Sequence, residues 1–261
     1  MIKMAKKTRP EYFFWDFLIA LFASSLLFAF FIGFSPLYEF PTFIQSLTHQ
    51  FRFTLQAFIG GCILCTAYYF FVVSVFLVGV SYSIVVSFSI AMSTAAVIVI
   101  ITDPAGFPHT VLIALIFFLI CVLFLNTSCK KNIDKSYRSK KAITYTALCG
   151  VILGFFFPLI RKSFDLATGV KLSPHVALFF FSCGTLFSFF FISLLMKNKP
   201  LIPPPFTFKG YFQTPFKHHI YGLIGGALWG SATMCRLLAN VFEIYNYTFV
   251  LSHIYPLITA A

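Results

Sequence analysis

The sequence is poor in charge, and above all in negative charge. Only seven of its 261 residues are Asp or Glu, and charged residues make up 10% of the chain, against about 25% in soluble domains. Hydrophobic residues account for 59%, and the mean hydropathy is +0.91. Too few charges remain to solvate the surface of a soluble protein of this size. A soluble enzyme, a disordered tail and a disulfide-rich secreted module are therefore excluded, and a polytopic membrane protein is expected.

Disulfide and catalytic signatures are also missing. The seven cysteines are odd in number and lie mostly in apolar stretches, which argues against a disulfide framework. Cys62 and Cys65 form a CxxC motif inside an apolar helix, where packing is favoured over redox or metal chemistry. The sequence has no Walker A, HExxH or GxSxG motif and no paired carboxylates. We therefore expect neither an enzyme activity nor a metal or cofactor.

Apolar runs close to the roughly 20 residues that cross a bilayer occur eight times. The predicted spans, A to H, cover residues 13–34, 53–76, 84–101, 109–126, 142–160, 176–196, 220–240 and 245–261. Spans B and C are joined by a short link around Gly79, and the Asp-Pro-Ala-Gly breaker at 103–106 separates C from D. The sequence thus predicts an all-α, multi-pass membrane protein with about eight transmembrane helices.

The distribution of Lys and Arg predicts the orientation in the membrane. With the N-terminus inside, the inner segments hold fourteen of the nineteen Lys and Arg residues and the outer segments hold four. The remaining one, Arg236, lies in span G. Both termini of this chain are therefore predicted to lie inside, in a plasma (cytoplasmic or inner) membrane. This bias accounts for the net charge of +12 without a nucleic-acid partner.

A weak internal repeat relates the two halves. Phe-Ile-Gly-Gly at 58–61 matches Leu-Ile-Gly-Gly at 223–226, and the same offset of 165 gives ten identities over residues 58–96. This offset carries span B onto span G, five spans later, so the two copies would cross the membrane in opposite senses. An inverted five-helix repeat is a transporter architecture with its site near the midplane. The predicted parts are a first repeat (1–127), a basic inner linker (128–141) and a second repeat (142–261).

The repeat also predicts missing helices. The partner of span E would precede A, and the partner of span D would follow H, so a complete pair would have ten spans. The expectation is an incomplete ten-helix transporter fold, truncated at its C-terminus.

Several segments resemble a known family. Ala-Leu-Cys-Gly-Val-Ile-Leu-Gly-Phe-Phe-Phe-Pro at 147–158 and Ser-Phe-Asp-Leu-Ala-Thr at 163–168 are similar to the sixth helix, and the segment after it, of the drug/metabolite transporter (EamA-like) superfamily. Gly-Gly-Ala-Leu-Trp-Gly at 225–230 and Tyr-Pro-Leu-Ile at 255–258 resemble its eighth and ninth helices. The ureide permease branch is closest in look, followed by the bacterial glucose- and rhamnose-uptake branch. The resemblance covers nearly the whole chain and implies ten helices, of which the first and tenth are absent here.

The resemblance implies a secondary transporter that moves a small polar metabolite by alternating access. The substrate would be a ureide, a nucleobase-like heterocycle or a sugar, and H⁺ or Na⁺ would be the coupling ion. The alternative is a truncated, non-transporting remnant or an accessory membrane subunit, because two helices are missing. A homodimer could restore the missing helix contacts. A polytopic membrane enzyme is the weakest alternative, since the chain lacks an acid–base constellation.

Span G carries the main candidate substrate-binding residues. Trp229, Thr233, Arg236 and Asn240 are spaced i, i+4, i+7 and i+11, which places them on one helical face. That face would offer a ring, a hydroxyl, a guanidinium and an amide to a polar solute. For Arg236, snorkelling to the outer surface or a structural ion pair with Glu243 is the alternative.

Three further candidates lie in other spans. His253 in span H is either a buried neutral histidine or a contact for a proton or substrate. Ser87 in span C and Thr66 in span B are candidate substrate contacts from the other repeat. The alternative for both is a hydrogen bond to their own helix backbone.

Three further groups of residues are interpreted as structural. Asp16 is predicted to pair at the interface with the basic residues of segment 6–9, with a coupling carboxylate as the alternative. His218 and His219 are predicted to lie in a loop with no cysteine or acid nearby, so no metal site is expected there. Gly222, Gly226 and Gly230 have the GxxxG spacing of close helix packing, as do Gly150 and Gly154 in span E.

Overall fold

The computed structural model describes residues 10–33, 50–102, 120, 140–163, 171–198 and 206–239. Nearly all of them are helical, and the described ranges contain no strand. The helices are α1 (Pro10–Gly33), α2 (Phe51–Val78), α3 (Val80–Thr102), α4 (Lys140–Ser163), α5 (Pro174–Asn198), α6 (Phe208–Phe212) and α7 (Phe216–Ala239). The prediction of an all-helical protein is confirmed for this part of the chain.

Six predicted spans, A, B, C, E, F and G, coincide with long helices. Three segments are long and apolar enough to cross a membrane, namely Glu11–Phe31, Phe51–Val78 and Pro174–Lys197. Shorter apolar helices cover Tyr82–Ile98 and Lys141–Phe156. Most of span D and all of span H lie outside the described residues. The eight-span inverted repeat therefore stays a prediction.

The break between α2 and α3 occurs where the sequence predicts it. Helix α2 ends at Val78 and α3 begins at Val80. Gly79 between them has φ +87°, a left-handed conformation that glycine adopts without steric strain. The predicted link at Gly79 is confirmed.

The chain forms two compact units. Unit 1 contains α1, the part of α2 up to Cys65, the end of α4 from Leu159, and helices α5 to α7. Unit 2 contains the rest of α2 from Thr66, helix α3, and α4 as far as Pro158.

Helix α1 is at the centre of unit 1, where it packs against α5 and α7. Phe14 near its start meets Phe189 near the end of α5, with ring centroids 4.8 Å apart. Ser25, three turns later, shares a 2.6 Å hydroxyl hydrogen bond with Ser182, which is earlier in α5. The order of these contacts shows that α1 and α5 run in opposite directions.

Helix α7 runs parallel to α1 along a stripe of glycines. A Cβ atom at any of the three glycines would overlap α1, so no side chain larger than hydrogen fits without a shift. The contacts advance together along both helices: Gly222 faces Asp16, Gly226 faces Phe17 and Gly230 faces Ser24. The GxxxG spacing in span G therefore serves close packing, as the sequence predicts.

Unit 2 has a second glycine contact, between α3 and α4. A Cβ atom at Gly150 would lie 2.6 Å from both the carbonyl oxygen of Ser87 and Cβ of Ile90, and one at Gly154 would lie 2.5 Å from Cβ of Thr94. Because both contacts advance in the same order, α3 and α4 run parallel. The glycines of span E thus pack as predicted.

Candidate functional site

A largely buried polar arrangement in unit 1 joins Asp16 on α1, Tyr211 on α6 and His219 on α7. Asp16 Oδ2 lies 2.8 Å from His219 Nδ1. The hydroxyl of Tyr211 donates a hydrogen bond to the other oxygen, Oδ1, at 2.5 Å. The Asp16 side chain is 4% exposed and that of His219 is 14% exposed. We call these three residues the Asp16 cluster.

The local sequence of α6 and α7 brings Tyr211 and His219 to the same side. Thr207 caps α6 by accepting a hydrogen bond from the Gly210 N–H at 3.2 Å. This bond satisfies one of the backbone N–H groups that have no acceptor within the first turn of a helix. The chain then turns, and Pro215 precedes α7 by one residue and accepts a hydrogen bond from the His218 N–H at 2.9 Å. Two residues eight positions apart can therefore hold one carboxylate from two helices.

Aromatic contacts hold the Tyr211 ring in place. Its centroid is 4.8 Å from the His219 ring and 6.0 Å from the Tyr12 ring, both edge-on. Tyr12 is buried and also meets Phe206 edge-on at 5.6 Å. Tyr211 is thereby positioned by rings on both sides, so its hydroxyl points at the carboxylate.

The close approach of α7 to α1 depends on Gly222, one turn after His219. A Cβ atom there would lie 2.6 Å from Cβ of Asp16 and 2.7 Å from the carbonyl oxygen of Phe13. Both distances are shorter than ordinary van der Waals contacts of about 3.5 Å. Only glycine therefore lets His219 reach Asp16 at this helix spacing.

Tyr211 acts as a hydrogen-bond donor within the Asp16 cluster. Burial raises the pKa of Tyr211, and its hydrogen bond to Asp16 raises that pKa further, so the phenol remains a neutral donor. The site therefore brings together a carboxyl group, an imidazole and a neutral phenol, which are groups that proteins use as general acids and bases.

Three of the four predicted residues of span G, Trp229, Thr233 and Arg236, lie on α7. The Trp229 ring lies between Phe17, at 6.1 Å, and Phe181, with which it stacks at 6.2 Å. The Thr233 hydroxyl donates to the Trp229 carbonyl at 2.8 Å. Arg236 is half-buried in the last turn of α7, where a cation interacts favourably with the helix dipole. Asn240 and its neighbour Glu243 lie outside the described residues.

In unit 2, the Ser87 hydroxyl is buried and donates to the carbonyl oxygen of Thr146 at 3.1 Å. Nearby, the hydroxyl of Ser74 bonds to that of Ser83 at 2.8 Å and to that of Thr146. Ser87 is therefore bonded to a second helix rather than to its own backbone, and Thr66 is half-buried on α2. His253 lies outside the described residues.

The sequence-based placement of the two histidines is wrong. Both belong to the first turn of α7 rather than to a loop, and an acid, Asp16, lies beside His219. The basic residues of segment 6–9, the predicted partners of Asp16, lie outside the described residues. An acid inside an apolar span was the one available signal for this site, since its partners are 195 and 203 positions away.

The cysteines within the described ranges form no metal site. The described residues contain no group of three or more His, Cys, Asp or Glu side chains arranged to hold a metal ion. Cys62, in the CxxC motif, donates from its thiol to the Gly184 carbonyl at 3.3 Å, and Cys65 is buried. Both cysteines thus occupy the packed contact between α2 and α5.

Comparison with known proteins finds no match, whether to family models, to curated proteins or to solved structures.

Proposed function

We propose that this chain is a multi-pass membrane carrier that moves a small polar solute by alternating access. The observation that carries the proposal is the Asp16 cluster. An ionisable side chain is unfavourable inside an apolar span and marks an ion or solute pathway by default. Asp16 belongs to the apolar segment Glu11–Phe31 and is almost fully buried.

The proposed solutes are a ureide, a nucleobase-like heterocycle or a sugar, as the resemblance to the drug/metabolite transporter superfamily implies. Such solutes offer hydrogen-bonding groups and, for the heterocycles, a flat ring face. Trp229, Thr233 and Arg236 would meet these groups from one face of α7. In the present arrangement the Trp229 ring stacks on Phe181, so a solute would have to displace that ring.

The proposed location is a plasma (cytoplasmic or inner) membrane, with both termini of this chain inside. Helices α1 and α7 both begin at the end of unit 1 that carries Lys209 and Lys217. The positive-inside rule assigns this end to the cytoplasm. Labelling of a cysteine introduced at Lys217 by a membrane-impermeant maleimide, in cells and in inverted vesicles, tests the assignment. Labelling in inverted vesicles alone is expected, and labelling in intact cells would reverse it.

Transport is tested with the purified full-length protein in proteoliposomes. Entrance counterflow of labelled allantoin, uracil or glucose requires no driving ion, so it isolates the carrier step. We expect saturable counterflow of one of the three solutes, and its reduction in Trp229→Ala. Phe212→Ala is the control, because Phe212 is exposed on α6 and outside the proposed path. An absence of counterflow for all three solutes would instead favour an accessory subunit.

A further inference from the structure

We propose that the Asp16 cluster binds the coupling ion of this carrier and that the ion is a proton. The proposal rests on the transport function proposed above. It also assigns a site and a chemical identity to the coupling ion, which the sequence left open between H⁺ and Na⁺.

The donor set around Asp16 favours a proton over Na⁺. Hard cations are bound by several oxygen atoms that turn their lone pairs to the metal. Here both carboxylate oxygens of Asp16 already have hydrogen-bond partners. Oδ1 accepts from the Tyr211 hydroxyl, and Oδ2 lies beside His219 Nδ1. A cation would have to displace both groups, whereas a proton joins the existing hydrogen bond.

The binding step is a simple proton addition. The proposed step starts from an ionised Asp16 carboxylate and a neutral His219 imidazole. One O–H bond of hydronium breaks, one N–H or O–H bond forms within the pair, water is released, and the charge of the pair rises from −1 to 0. A buried pair without net charge is less unfavourable in apolar surroundings than the same pair with one net negative charge. Only the protonated cluster would therefore readily enter an occluded state.

The exposure of the two side chains gives the order of transfer. His219 is 14% exposed and Asp16 is 4% exposed, so water reaches the imidazole first. The imidazole is the protein group best suited to exchange protons near neutral pH. We infer that His219 passes the proton to and from the pair, and that Tyr211 is a positioning residue.

Other ionisable side chains at this end of unit 1 belong to the same packed elements. They are Glu11 and Tyr12 on α1, Lys197 on α5, Lys209 on α6, and Lys217, His218 and Tyr221 on α7. None of them hydrogen-bonds to Asp16 among the described residues. His218 is therefore a matched control for His219, with the same chemistry one position away.

The test uses full-length wild type, Asp16→Asn, His219→Gln and His218→Gln in proteoliposomes. An inward acid gradient of about one pH unit would drive up to about tenfold solute accumulation if one proton accompanies each solute. Wild type and His218→Gln should accumulate solute under this gradient and not under a Na⁺ gradient. Asp16→Asn and His219→Gln should both lose the acid-driven accumulation.

A second readout needs no solute. Infrared difference spectra of the purified proteins between about pH 5 and pH 8, where imidazole changes charge, report proton binding directly. Wild type and His218→Gln should show bands of a hydrogen-bonded imidazole–carboxylate pair that His219→Gln and Asp16→Asn lack. If one of these two variants does not fold, the other decides the outcome.

The two readouts separate the two proposals. Bands without counterflow would overturn the transport function and leave the proton site supported. Counterflow without these bands in wild type, acid-driven accumulation that persists in either cluster variant, or accumulation driven by Na⁺ would overturn the proton site while the transport function stands.

Discussion

Adding one methyl group at Gly222 is expected to push helices α1 and α7 apart and to open the Asp16 cluster. In Gly222→Ala, the new Cβ atom would lie 2.6 Å from Cβ of Asp16 and 2.7 Å from the carbonyl oxygen of Phe13. Carbon–carbon contacts are normally about 3.5 Å or longer, so the helices must separate by about 1 Å. The Phe13 oxygen belongs to the backbone, so a side-chain rotation cannot relieve the contact. A shift of this size stretches the 2.8 Å contact between Asp16 and His219 beyond hydrogen-bonding distance.

Gly225→Ala provides the matched control. A Cβ atom there meets only side-chain carbons of Phe17 and Phe13, at 3.7 and 3.9 Å, which are ordinary contacts. Both substitutions gain the same helix propensity, about 1 kcal/mol. Overpacking costs about 1–3 kcal/mol and applies only to Gly222→Ala. We therefore expect Gly222→Ala to be less stable than Gly225→Ala by about 1–3 kcal/mol.

Reversible unfolding of the full-length protein in mixed detergent–SDS micelles measures this difference. The pH-dependent infrared bands of the imidazole–carboxylate pair should also be lost in Gly222→Ala and kept in Gly225→Ala. Equal stability of the two variants would refute the inference that glycine sets the spacing of α1 and α7. Reduced stability with unchanged bands would show that the cluster does not depend on that spacing.

Three further predictions concern unit 1. Gly184→Ala should destabilise the α2–α5 contact by about 1–3 kcal/mol, because its Cβ would overlap a backbone oxygen. Gly60→Ala is the control, since a Cβ at Gly60 has no neighbour closer than 3.8 Å. Equal SDS-unfolding curves for the two variants would contradict this prediction. Ser25→Ala removes a buried 2.6 Å hydroxyl hydrogen bond to α5 and should lower stability by about 0.6 kcal/mol, the average for such bonds in a membrane protein; an unchanged unfolding midpoint would contradict a stabilising role. Since burial and the hydrogen bond to Asp16 raise the pKa of Tyr211, the contribution of the phenol is present below about pH 10, the ordinary tyrosine value, and is lost at higher pH. Wild type should therefore lose stability more steeply than Tyr211→Phe above that pH, and parallel pH–stability curves would argue against the raised pKa.

The positions of the helices followed from composition and length. Six of the predicted apolar runs are helical in the structure. In the water-free interior of a bilayer, backbone N–H and C=O groups must bond to one another, and a helix achieves this within one segment. The break at Gly79 also followed from local chemistry, since only glycine adopts its φ of +87° without strain. Local propensity and hydrophobicity suffice for such features because they depend on neighbouring residues alone.

The glycine spacings predicted close helix packing, but not which helix packs against them. The spacing of Gly222, Gly226 and Gly230 indicates a close helix contact, yet it does not say which helix approaches. The partner is α1, about 200 residues earlier in the chain. The same limit applies to Ser87, for which the sequence favoured a bond to its own helix and the structure shows a bond to Thr146 on α4.

The sequence by itself determined the helical fold of the described residues, the positions of their helices and the presence of an acid within an apolar segment. The tertiary structure alone decided that Asp16, Tyr211 and His219 meet. Tyr211 and His219 follow Asp16 by 195 and 203 positions, and no periodicity or motif links them to it. Their meeting depends on the parallel packing of α1 and α7, which brings the two helix starts to the same end of the unit. The absence of a side chain at Gly222 then allows α1 and α7 to pack closely enough for His219 to reach Asp16.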